Sequence, residues 1–316
     1  MLKKLLLLLC FSGAAGFAQK PAEISIISDN DLYTSIHNDQ YYTNGLEIIY
    51  RYLSNPKRDN IAKKITAFSA GQYIYNPQSP ETPEVNTQDR PFAGYLFAKA
   101  AITAFYTNES VLKVSGSAGV VGPESGAEQA QKLLHRIINF GKVEGWDYQI
   151  RTVPAAQLEV LYSHKVLRER FHEKVDFHLM GEASLGTIWL SGSAGAMMRI
   201  SLAGNLKPMY ESALHNATLA KGDNPYDGRR EWLLFLNPSL QYMRFDATIQ
   251  GSPFDDKSPV TFPLIPFRFN AQAGLKYGRN KWNYAFVFNY RGKELTNNVV
   301  TSYYYGSVQV GYLLAP

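Results

Sequence analysis

Apolar and polar residues alternate at period two along much of the chain. In 281–291, Trp282, Tyr284, Phe286, Phe288 and Tyr290 share one face, and Asn283, Ala285, Val287 and Asn289 share the other. In 266–277, Phe267, Phe269, Ala271, Ala273, Leu275 and Tyr277 oppose Arg268, Asn270, Gln272, Gly274 and Lys276. Leu46, Ile48, Tyr50 and Tyr52 oppose Glu47 and Arg51, while Tyr304, Val308, Val310, Tyr312 and Leu314 oppose Tyr305, Ser307, Gln309 and Gly311. Such alternation marks strands with two unlike faces. It predicts twelve strands, over 22–34, 40–53, 61–75, 92–107, 109–122, 146–164, 172–190, 192–203, 231–250, 262–278, 281–292 and 301–314. Many of these runs are about twice the usual five or six residues of a globular strand. The polar stretch 204–230 fits least well, either as an element of its own or as a sign that the strands around 185–203 are misplaced.

One stretch departs from period two. From Gly122 to Gly145, apolar residues fall at Ala127, Ala130, Leu134, Ile137 and Ile138, the spacing of an amphipathic helix. Gln131 and His135 lie four apart and share a face beside that stripe. The helix is expected to lie across the mouth of a barrel, its stripe against the rim or facing acyl chains.

Composition decides what the strands face. The chain opens with Lys3 and Lys4, a short leucine-rich run and Gly16-Phe17-Ala18, the layout of a secretory signal peptide over 1–18. Cys10 raises a lipoprotein reading, but Leu7-Leu8-Leu9 lacks the small residues such a cleavage site needs. Loss of the leader removes the one cysteine, and with it disulfide and thiol chemistry. The remaining 30 basic and 27 acidic residues are near balance and give no basis for nucleic-acid binding. Abundant aromatics (21 Tyr, 17 Phe), long alternating strands and export fit an all-β fold. That fold is a twelve-stranded antiparallel transmembrane β-barrel over 19–316, monomeric in the bacterial outer membrane, with its helix in an extracellular loop.

Three polar clusters fall at the outer end of this layout. Ser28-Asp29-Asn30-Asp31 ends the first strand, Asp39 to Gly45 opens the second, and Gln131 with His135 sits on the loop helix. Asp89-Arg90-Pro91 lies in the loop before strand four. These residue types suit ester hydrolysis by water. A histidine can take the proton from water, and a carboxylate with amide and hydroxyl oxygens can hold a hard cation such as Ca2+. The cation and nearby N–H donors would stabilise the oxyanion. No G-x-S-x-G nucleophile motif is present, which favours activated water. Taken singly, Ser28–Asp31 and Thr43-Asn44-Gly45 are ordinary turn sequences. His37 competes for the role of base, whereas His164, His172 and His178 read as structural.

At these same residues the sequence resembles the outer-membrane lipid A 3′-O-deacylases of the LpxR type. The matching pieces are Asp29-Asn30-Asp31, Tyr42-Thr43-Asn44-Gly45, Asp89 to Tyr95, Gly122-Pro123, Gln131-x-x-x-His135, Gly145-Trp146-Asp147-x-Gln149 and Tyr304 to Leu314, in family order over most of the chain. The resemblance implies a twelve-stranded barrel that removes 3′ acyl chains from lipid A with calcium, at a site between barrel wall and outer-loop helix. It implies His135 as general base, Gln131 as its positioning partner, Asn30, Asp31 and Thr43 as the metal and oxyanion part, and Glu144 as a matching acidic residue. A family lysine of the second outer loop has no counterpart here, and Arg90 is the candidate to supply its charge toward the substrate. Two other classes stay open: an outer-membrane phospholipase, whose usual serine beside histidine is not recognisable, and a pore or adhesin, which has no need of the Gln131/His135 helix.

Overall fold

The computed structural model describes residues 20–34, 41–81, 84–139, 141–167, 173–220, 230–255, 257–297 and 299–314. The signal segment, His37, His172, the Asp39-Gln40 pair and residues 221–229 lie outside the described residues. Twelve strands form: β1 (Ala22–Asn30), β2 (Tyr41–Ser54), β3 (Ile61–Asn76), β4 (Ala93–Tyr106), β5 (Val111–Val121), β6 (Val153–Val166), β7 (Val175–Gly186), β8 (Trp189–Ser201), β9 (Glu231–Asp246), β10 (Phe267–Arg279), β11 (Trp282–Gly292) and β12 (Ser302–Leu314). Each pairs antiparallel with its chain neighbours, and β1 closes on β12 from Ala22↔Leu314 to Asn30↔Gly306. Closure leaves no strand edge unpaired, as a lipid environment requires. No helix among the described residues is long and apolar enough to cross a membrane.

The two faces of the alternation are inside out relative to a globular protein. Ile24, Ile26, Leu46, Ile48, Leu96, Ile102, Leu158, Leu185, Leu236, Leu240, Phe267 and Phe286 are exposed on the outer wall. Glu23, Arg51, Gln157, Asp176, Arg199, Arg268, Asn270, Lys276, Asn283 and Gln309 are buried in the lumen. Charge pairs fill that interior: Arg51 meets Glu23 at 2.9 Å, and Arg268 meets Glu294 at 3.6 Å. Aromatic pairs ring both ends of the wall, with Trp282–Tyr312 at 4.8 Å and Trp232–Tyr277 at 4.4 Å near one end and Tyr242–Phe267 at 5.0 Å near the other. Such girdles belong at the two membrane–water interfaces.

All twelve expected strands are present, with shorter ends at five of them. β1 stops at Asn30, whose side chain caps a 3₁₀ turn over Asp31–Tyr33. The run expected at 146–164 starts only at Val153, because Trp146–Tyr148 forms a 3₁₀ turn. The run at 172–190 ends at Gly186 before a two-residue turn into β8, so the strands around 185–203 stand as expected apart from that shift. β9 ends at Asp246, whose carboxylate accepts from Thr248 N at 2.9 Å and starts the helical turn Ala247–Gln250. β10 starts at Phe267, since Pro263 and Pro266 withhold ladder donors.

The stretch after β8 does form an element of its own. Residues 206–219 fold into the lumen at the end opposite the outer loops, as a plug. Met209, Leu214, Ala217 and Leu219 pack with Leu53, Ile65, Phe105, Val111 and Leu313. Lys276 Nζ donates to Leu214 O at 2.8 Å, Lys63 Nζ to Ala217 O at 2.6 Å, and Ala213 N to Glu231 Oε2 at 2.6 Å. The opposite end is closed by a clasp of three outer loops. Arg90 donates to Thr248 Oγ1 at 2.9 Å and lies 3.9 Å from Glu294, and Asn297 donates to Asp89 O at 2.8 Å.

Candidate active site on the outer wall

The helix α1 (Ala127–Ile138) follows β5 through the turn Gly122–Gly126. Gly126 and Asn139 bound it in left-handed conformations, φ 69° and 53°. It lies flat on the outer wall over β3 and β4, so the expectation that it crosses the mouth is corrected. Gly94 of β4 makes this approach possible: a Cβ there would overlap Ala127 Cβ and Ser125 Oγ. Gln72 on the outer face of β3 donates to Ser125 O at 2.6 Å and ties the helix start to the wall.

The packing face of α1 takes only Ala127 and Ala130 from the expected apolar stripe and adds Gln131 and His135. Ala127, Gln131 and His135 are buried, whereas Leu133 and Ile137 are 53 % and 72 % exposed. Ile74, Phe92, Ala127, Val143 and Trp146 form the apolar layer between helix and wall, with Ala130 packed against it. The side chain of Ile138 lies outside the described residues. A helix flanked by lipid rather than water can turn its polar pair inward and leave leucine and isoleucine outside.

Two further features bring the first two strands to this face. Thr43 is the extra residue of a bulge between Tyr42 and Asn44. The bulge leaves Tyr42 facing the lumen, where its hydroxyl donates to Asp29 at 2.7 Å, and turns Thr43 outward with Asn44. Asn30 and Asn44 are register partners, joined by Asn30 Nδ2 donating to Asn44 Oδ1 at 2.6 Å. Asp31 follows Asn30 and is 2 % exposed; Leu32 N donates to its Oδ1 at 2.9 Å and to Asn30 Oδ1 at 2.7 Å.

The second-strand cluster and the helix meet at Asn76, the last residue of β3. Its Oδ1 accepts from Thr43 Oγ1 at 2.6 Å and from Gln131 Nε2 at 3.2 Å. Gln131 Oε1 in turn accepts from Trp146 Nε1 at 3.0 Å. One helical turn on, His135 Nδ1 lies 2.7 Å from Gly141 O. A carbonyl only accepts, so Nδ1 carries the proton and Nε2 presents a lone pair. Gln131, Thr43 and Asn76 are fully buried, and His135 keeps 8 % of its surface.

Asn76 was not singled out from sequence, and Trp146 stood only within the family-matching piece Gly145-Trp146-Asp147-x-Gln149, with no role assigned. Asn76 reads as the turn Asn-Pro after a strand; the available signal was its parity with Phe68 and Gln72 on the outer face of β3. Arg90 is not with the group. It is wholly buried over the Tyr75 ring at 4.5 Å, inside the clasp, so its charge serves the loops and cannot reach a ligand on the outer wall. The side chain of Glu144 is exposed at the loop rim, and its backbone N donates to Pro80 O at 2.8 Å. The Asp31 carboxylate and the Asn30 amide oxygen are hard oxygen donors, the type that calcium accepts. Among the described residues no three His, Cys, Asp or Glu side chains gather as a metal cluster.

A closed barrel with an apolar outer band and a polar cluster under a loop helix defines an integral membrane β-barrel. A family model described as outer membrane protein LpxR matches residues 5–314. The chain belongs to this LpxR family, and its place is the bacterial outer membrane. Among solved structures it is similar to LpxR from Salmonella typhimurium, with a TM-score of 0.74, 19 % identity, and coverage of 92 % of this chain and 99 % of that one. A weaker match is the beta domain of the Bordetella autotransporter BrkA, with a TM-score of 0.47, 9 % identity, and coverage of 93 % and 99 %. No curated protein sequence matches the chain.

Proposed function

We propose that this chain is a calcium-dependent hydrolase that removes 3′-linked acyl chains from lipid A in the outer leaflet. The observation that carries this reading is the Gly141 carbonyl on His135 Nδ1, which in the neutral ring leaves Nε2 as the atom able to take a proton. In this reading His135 Nε2 takes a proton from water, the resulting hydroxide attacks the ester carbonyl, and a tetrahedral oxyanion forms. His135 then returns the proton to the departing sugar oxygen. The C–O ester bond breaks, and the products are a free carboxylic acid and a lipid A hydroxyl. General acid–base catalysis of this kind contributes about 10²–10⁴-fold.

Asn30 and Asp31 would hold the calcium. When bound, calcium polarises the ester carbonyl and offsets the oxyanion charge. Together they offer one carboxylate and one amide oxygen, hard donors of the kind calcium takes. Gln131 holds the helix to the wall beside His135. The exposed Leu133 and Ile137 supply apolar surface to neighbouring acyl chains.

Purified protein in detergent with lipid A and calcium tests the reading. Release of the 3′ acyl acid is expected, and a chelator stops it. Release that persists in chelator removes the metal role of Asp31. Release by the His135→Ala variant moves the base elsewhere, with His37 next.

A further inference from the structure

We propose that Asn76 is a positioning residue of this reaction, whose one amide oxygen fixes the direction in which Thr43 and Gln131 present their polar atoms. The proposal rests on the functional reading above. Every hydrogen bond in the group has a determined direction. The Trp146 indole can only donate, so the Gln131 atom facing it is Oε1 and its amide nitrogen faces Asn76. The carbonyl of Pro77 can only accept, so the Asn76 atom facing it at 2.9 Å is Nδ2, and Oδ1 must face Thr43 and Gln131. The two ends, one donor-only and one acceptor-only, leave no alternative flip.

The consequence falls on Thr43. Its hydroxyl has one proton, and that proton goes to Asn76 Oδ1 at 2.6 Å, with Ile74 O at 3.5 Å on the same wall side. Toward the site Thr43 therefore presents lone pairs only. It can accept from a water or contribute an oxygen to a cation, but it cannot donate to an oxyanion. Thr43, Gln131 and Asn76 are all closed to solvent, so no bulk water competes for these bonds.

Lipid A turnover is measured for wild type, Asn76→Ala, Asn76→Asp, Thr43→Val and the Thr43→Val/Asn76→Ala double variant. Each is checked for the heat-modifiable barrel band. The side-chain N–H resonance of Trp146, assigned with Trp146→Phe, is recorded for each. Asn76→Ala is expected to lower kcat about 100-fold with KM little changed, and to shift the Trp146 resonance. Asn76→Asp keeps an oxygen that accepts from both partners but cannot donate to Pro77, so it should recover activity to within about tenfold of wild type. The double variant should be no worse than the worse single, because both changes break one unit. Full activity in Asn76→Ala, equal loss in Asn76→Asp, or additive losses would each overturn the proposal. An inactive wild type would remove the reaction, and Asn76's part in it. The Trp146 resonance needs no turnover and still separates that outcome from a relay that does not exist.

Discussion

His135 gains its proposed role from one backbone atom. The Gly141 carbonyl fixes the tautomer, and only Nε2 is left to take a proton. Replacing His135 by alanine should lower turnover at least about 10²-fold while the barrel still runs as a folded band on a gel. Arg90 carries the opposite expectation. Enclosed over Tyr75 and bonded to Thr248, it holds loops together. Arg90→Ala should cost about 3 kcal/mol of stability, the scale for breaking a buried charge pair, with KM for lipid A within about twofold of wild type on the strength of that burial. A large rise in KM with unchanged stability would return Arg90 to the substrate.

At the scale of elements, two attachments matter: α1 on the wall and the plug in the lumen. Gly94→Val puts a branched side chain where Ala127 and Ser125 touch β4. It should lift the helix and abolish activity with the barrel intact; unimpaired activity would mean that the helix does not need this contact. In the plug, burial and the neighbouring positive Lys276, Lys113 and Arg199 hold the His215 imidazole down to about 3. A released plug would take up a proton below the ordinary value of 6.5. The docked form therefore loses relative stability as pH falls from 6.5 toward 3, and none from this group above that window. Hydrogen exchange of residues 206–219 should be faster at pH 4.5 than at pH 7.5, and His215→Gln should flatten the difference.

These same elements show what could be read in advance. The strand count was legible because Trp282–Tyr290 and Phe267–Tyr277 alternate without interruption, and lipid outside forces that pattern on every strand. Asn30, Asp31, Thr43, Gln131 and His135 were legible as residue types suited to the chemistry. How they meet was not. A hydrophobic stripe tells where apolar residues lie on a helix but not which side is lipid, so Ile137 was expected either on the rim or facing acyl chains, and it is the more exposed residue. The bulge at Thr43 shifts parity by one, which period-two reading cannot see. Asn76 looked like a turn because its partners lie 33 and 55 residues away in the chain. The plug looked polar because its surroundings, Glu231, Lys63 and Lys276, are polar too.

On the scale of the whole molecule, plug and clasp shut both ends of the lumen. A cavity of about 280 Å³ remains between them, lined by Tyr73, Tyr75, Tyr95, Arg268, Arg291 and Glu294 among others. A barrel closed this way should give no steady conductance in a planar bilayer, and open-channel steps would favour the pore reading. In the proposed reading the working surface is the outside wall, where lipid is the neighbour of the helix. The most direct test is the mass spectrum of lipid A from a Gram-negative host that expresses this chain. A mass loss equal to the 3′ acyl group, absent with His135→Ala, is the predicted result. Unchanged lipid A with folded protein and calcium present would contradict it.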